Sequence, residues 1–156
     1  MTAIESIVPG FVDALGRAPV TLATHRKLAA ALRDTPLTER TRALIAVAIA
    51  QQLRCEYCIW VHSCLAEAAG VGAEDVFLAR AGTALDRDEA ARGFGVEAVA
   101  EDAARDDLAR HLHERRLGEP RATAVVTEVA LAIVNCYVLQ SIAPTTRDKV
   151  GTGRAG

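Results

Sequence analysis

The stretch "RCEYCIWVH" at 54–62 places two cysteines three residues apart and a histidine four beyond the second. On a helix starting near Cys55, residues three or four apart share a face. Three residues rise about 4.5 Å along the axis, which suits the Cα separation of about 4.4–6.8 Å that a disulfide tolerates. Cys55 and Cys58 can therefore open and close a bridge with little backbone movement. A helix N-terminus also stabilises a thiolate placed there. His62 lies one turn beyond Cys58 on the same face. A base within reach of a thiol is the minimum unit of an activated sulfur nucleophile.

Other readings of the same residues compete. Covalent haem attachment needs a histidine directly after the second cysteine, and here Ile59 follows Cys58. Zinc could use Cys55, Cys58 and His62 with Cys64 or Cys136. Structural zinc, however, usually joins two separated knuckles, and one helix face cannot readily surround a tetrahedral ion. An inert buried pair beside a satisfied histidine is the third reading. Cys64 is nine residues from Cys55, about 13.5 Å along a helix and too far to bridge. Cys136 sits in the apolar run "AIVNCYVL" and reads as a small core residue. "GTGRAG" at 151–156 and "GFGVEA" at 93–98 match the glycine pattern of a dinucleotide site, but neither follows a strand, which that site needs. His111 and His113, two apart, face different ways on a helix and read as solvated surface residues.

The elements that must position these residues are helical almost throughout. The chain has 156 residues, 51% apolar and only 4% aromatic. That length suits one domain whose alanines and aliphatics pack helix on helix. Ile4–Leu15 is an amphipathic stretch that Pro9 either kinks or divides. Val20–Leu32 is a helix broken before Pro36. Thr38 caps a third helix through Leu53, whose "ALIAVAIA" centre is apolar on nearly every face and so is buried. Cys55–Ala69 stops at Gly70, and Ala73–Ala81 follows. Asp86 and Glu89 resemble a capping box for a helix through Ala104, and "RDDLARHLHERRLG" reads as a surface helix. Thr123–Ile142 is a strong apolar helix closed by Pro144. The expectation is a single all-α domain of seven or eight helices over 1–146, with a disordered tail at 147–156.

Net charge is −2, from 18 basic and 20 acidic residues, which points away from a nucleic-acid surface or a polybasic membrane patch. The N-terminus lacks a basic region followed by a long apolar one, and runs such as "ALIAVAIA" are too short to span a bilayer. The expected location is cytoplasmic. There a CxxC pair is more often catalytic or metal-binding than structural.

"CEYCIWVH" resembles the C-x-x-C-x-x-x-H signature of the alkylhydroperoxidase D-like proteins of the carboxymuconolactone decarboxylase superfamily. "PLTERTRALIAVAIAQQLRCEYC" is similar to the helix that leads into that signature. "HSCLAEAAGVGAEDVFLARAG" is similar to the segment after it, and "VVTEVALAIVNCYVLQSIAPT" to the closing helix. The likeness covers about residues 5 to 145. It implies an all-helical fold that self-associates, and thiol-dependent reduction of hydroperoxides by Cys55 and Cys58 with His62. It implies re-reduction by a dithiol donor such as a lipoyl group on a partner protein. From the residues, no bound metal and no cofactor is expected. Cys58, with His62 as base, would attack the peroxide and become a sulfenic acid, and Cys55 would resolve it to the disulfide. The helix-terminus effect favours Cys55 as attacker instead. The family usually has a glutamate twelve residues before the first cysteine, feeding a proton relay, and Ala43 stands there. Glu39, one turn earlier on the same face, is the candidate relay carboxylate. The superfamily's decarboxylases generally lack the cysteine pair. An enzyme acting on a carbon acid through His62, or a binding module that uses the pair as a switch, are the alternatives.

Overall fold

The computed structural model describes residues 2–81 and 119–150. Among these residues the chain forms seven α-helices, one short 3-10 turn and no strand. The expected helix at 86–104, the surface helix with His111 and His113, and both glycine-rich matches lie outside the described residues, as does most of the expected tail.

Pro9 divides the first apolar stretch into α1 (Ala3–Ile7) and α2 (Pro9–Gly16). A proline has no N–H to offer and its φ suits a helix's first turn, so it begins a new helix. Ile4, Val8, Phe11 and Leu15 remain one buried series across the break. α3 (Pro19–Ala31) also begins on a proline and ends in the 3-10 turn Leu32–Asp34, ahead of Pro36. Arg26 on α3 donates two bonds to the buried Glu5 carboxylate, at 3.0 and 3.1 Å. This bidentate pair fastens α1 to α3.

α4 (Glu39–Gln52) starts where the sequence places its cap. The Thr38 hydroxyl accepts from the Thr41 N–H at 3.1 Å, satisfying one donor that a helix start leaves open. Leu44, Ile45, Val47, Ala48, Ile49 and Ala50 are all buried. A helix apolar on so many faces must be surrounded, and α4 packs on α5 (Glu56–Ala68), α6 (Ala73–Arg80) and α7 (Glu119–Val150). The main core gathers Phe11, Ile49, Val61, Val129 and Leu139, and a smaller cluster of Val47, Ala66, Val71 and Val76 lies under α6. Burying each such large aliphatic or aromatic side chain is worth about 1.5–3 kcal/mol.

α7 departs from expectation twice. It runs through Pro144 to Val150 rather than closing there. A proline removes one rung of the hydrogen-bond ladder and strains the preceding turn, but it does not oblige a helix to stop. Its stretch Pro120–Ala143 is also long and apolar enough to cross a membrane by length and composition. This corrects the reading from short apolar runs, because Thr127, Glu128 and Asn135 interrupt the runs without lowering the average much. In this fold the stretch is a core helix, with Val125, Val129, Ala132, Cys136 and Leu139 buried.

Candidate functional site

The corner between α4 and α5 sets the cysteine pair. The Arg54 N–H donates to the Gln51 carbonyl at 3.0 Å, and the Cys55 N–H to the Ala50 carbonyl at 3.2 Å. This paired closure of a helix C-terminus needs a left-handed residue at its centre. Arg54 takes that conformation at φ 50°, where glycine is usual. Cys55 thus closes α4 with its N–H and caps α5 with its side chain. Gly70 ends α5 by the same pattern, at φ 79°, and leads into buried Val71.

Cys55 and Cys58 are joined as a disulfide, with Cα atoms 5.2 Å apart. The Cys55 sulfur accepts the Cys58 N–H at 3.2 Å. Once the bridge is open, that N–H and the helix N-terminus favour negative charge on the Cys55 sulfur. The two cysteines differ in access: Cys55 is partly exposed, whereas Cys58 is 0% exposed. The Cys58 sulfur lies 3.6 Å from the Cys136 carbonyl oxygen. That oxygen is an acceptor for a thiol S–H and a poor neighbour for a thiolate. Cys136 itself is a free thiol in the core, pushed up to about 12 by burial. Tyr57 and Trp60 flank Cys58 in sequence and stack with ring centroids 6.1 Å apart. Trp60, the chain's single tryptophan, is well exposed.

His62 stands one turn beyond Cys58 on α5 and is buried, with Nε2 lacking a partner. Burial pushes its imidazole down to about 4, so it is neutral at pH 7. His62 and Ala43 line one cavity of about 250 Å³. Glu39 also lines it but is exposed.

The carboxylate buried in this cavity comes from elsewhere. Glu128 on α7 lines it, is 8% exposed, and has Oε2 without a partner. Burial raises its carboxyl to about 7, with the positive charge of Arg42 pulling the other way. His25 on α3 joins from another wall. Its Nε2 lies 2.7 Å from Asn135 Oδ1, and an amide oxygen only accepts. Nε2 therefore donates, and the buried Nδ1 has no hydrogen-bond partner. Sequence reasoning passed over both residues. The available signal was a lone acid in the apolar run "AVVTEVALAIV" and a lone histidine in "TLATHRKLAAAL". Neither cysteine lines the cavity. Among the described residues no three His, Cys, Asp or Glu side chains converge closely enough to hold a metal ion.

Fold and site together define a small all-α protein built round a cysteine pair at the start of a buried helix. A model of the carboxymuconolactone decarboxylase family matches residues 19–105. That is more than half the chain, and the protein belongs to this family. No curated protein matches it.

Proposed function

We propose that this protein is a thiol-dependent oxidoreductase that reduces hydroperoxides through Cys55 and Cys58. The observation that carries the reading is the asymmetric pair at the head of α5: a partly exposed, N–H-bonded Cys55 bridged to a buried Cys58. Spacing alone suggested Cys58 as attacker, whereas access and the N–H contact favour Cys55. In the dithiol state the Cys55 thiolate attacks the peroxide, an S–O bond forms, the O–O bond breaks, and the alkoxide leaves and takes a proton from water. The Cys58 sulfur then attacks the Cys55 sulfenic acid, forming the disulfide and expelling hydroxide, which takes a proton from water, while His62 takes the thiol proton. A dithiol donor, such as a lipoyl group on a partner protein, attacks the accessible Cys55 sulfur and restores both thiols as its own disulfide forms.

The test is stoichiometric. One equivalent of hydroperoxide should remove two thiols per chain, and mass mapping should find Cys55 linked to Cys58 with Cys136 free. Cys55→Ser should abolish the reaction, and Cys58→Ser should stop it at a trappable sulfenic acid on Cys55. Thiol loss no faster than that of a free dithiol, or a bridge containing Cys136, would sink the reading.

One observation favours a second reading: the cavity lined by His62, Glu128 and Arg42 includes neither cysteine. A carbon-acid enzyme could work there without sulfur. Activity on such a substrate that survives Cys55→Ser/Cys58→Ser would select it.

A further inference from the structure

Three helices each send a polar side chain to the same cavity: His25 from α3, His62 from α5 and Glu128 from α7. All three are more than nine-tenths buried. Each has one buried atom without a hydrogen-bond partner: His25 Nδ1, His62 Nε2 and Glu128 Oε2. Buried polar atoms are nearly always satisfied. These three orphans, with Thr2 Oγ1 as a fourth on the same walls, line a space that can admit several small molecules and mark a place that handles polar ligands or protons. The other charged groups facing it are Arg33 from the turn after α3, and Glu39 and Arg42 from α4.

We propose that Glu128 is a positioning residue for His62 and the proton store of the site: the proton that His62 takes from the Cys58 thiol crosses the cavity to the Glu128 carboxylate. The inference rests on reading Cys55–Cys58 as a redox pair. An imidazole pushed down to about 4 is deprotonated at neutral pH, whereas a carboxyl raised to about 7 is protonated in about half of the molecules and can both take and return a proton. Burial has reversed the usual order of the two groups. A protonated Glu128 and a neutral His62 on the walls of one cavity also leave neither group charged in a desolvated site. As the disulfide closes, the Cys58 proton passes through His62 to Glu128, and the hydroxide released from the sulfenic acid takes its proton from water. As the donor reopens the bridge, the leaving Cys58 sulfur takes the proton back by the same route. Glu128 is thus ionised before closure and protonated after it.

Two measurements on the full chain test this, and neither uses peroxide. In the first, histidine NMR of the oxidised protein is followed from acid to mildly alkaline pH. His62 should report a step near pH 7, where Glu128 ionises, and Glu128→Gln should remove that step. The parent titration needs no variant to fold. In the second, the reduced protein is alkylated with iodoacetamide and the products are mapped by mass. At and above pH 7 Glu128→Gln should slow modification of Cys58 by about tenfold or more, with Cys64 unaffected, and Glu128→Asp should restore part of the rate. No step at His62 in the parent, a step that persists in Glu128→Gln, or an unchanged Cys58 rate overturns the proposal. If the parent shows the step and the Cys58 effect but peroxide removes no thiols, the peroxidase reading fails and the Glu128–His62 coupling stands.

Discussion

Substitution at Glu128 and His62 should uncover two pH dependences of stability that cancel in the parent. Glu128 has a folded value of about 7 against an ordinary 4.5. A raised folded value means the contribution is fully present below pH 4.5 and is lost as pH rises through about 7. Each tenfold change in an acid constant is worth about 1.4 kcal/mol, so the loss is about 3 kcal/mol. His62 has a folded value of about 4 against an ordinary 6.5. This base is depressed, so its contribution is full above pH 6.5 and is lost as pH falls through about 4, again by about 3 kcal/mol. Acidification therefore gains from one group what it loses from the other, and the parent should be nearly flat across this range. Glu128→Gln should leave the histidine alone, giving stability that falls by about 3 kcal/mol on acidification. His62→Asn should give the mirror image, stability that falls by a similar amount as pH rises from 4.5 to 7. Urea unfolding at a series of pH values, with the disulfide intact, reads both slopes. Parallel profiles for Glu128→Gln and the parent would refute the reasoning, because Glu128 would then be solvated and ionising at its ordinary value.

Arg54→Gly should raise thermal stability by up to about 1 kcal/mol, because glycine adopts the left-handed corner without strain; a lower melting temperature would show that the arginine side chain contributes more than its backbone costs. Ala43→Glu would add a further carboxylate to the cavity that Glu39 and Glu128 already line. It should destabilise the fold more at pH 8 than at pH 5, by a few kcal/mol, without speeding thiol oxidation. Faster oxidation in a stable variant would mean that position 43, not Glu128, limits proton transfer. Val126, Val134 and Tyr137 form an exposed apolar series on α7, so the protein should self-associate. Light scattering at micromolar concentration should show an oligomer that Val134→Asp dissociates, and a monomeric parent would count against it.

Features that depend on neighbours in the chain were legible without a structure. Thr38 could be read as a cap and Gly70 as a stop because capping is a contact between residues a few positions apart. The CxxC spacing predicted a bridge at the head of a helix, and the described Cys55–Cys58 disulfide lies there. The "ALIAVAIA" run required a buried helix for the same local reason: no face of it can be given to water. The Arg54 corner was not legible, since arginine carries no signal for a left-handed backbone. Pro144 misled because a proline weakens a helix without specifying whether tertiary context lets it continue.

The cavity is where local reasoning ended. The sequence by itself determined that His62 follows Cys58 by one helical turn, but it showed Glu128 only as a lone acid in an apolar run, with nothing local to say that it is buried. Which helix faces meet is decided by how α3, α4, α5 and α7 pack, and that packing sets His25, His62 and Glu128 around one space. Their ionisation depends on the loss of water from that space, so it belongs to the packed interior and to no segment of the chain alone.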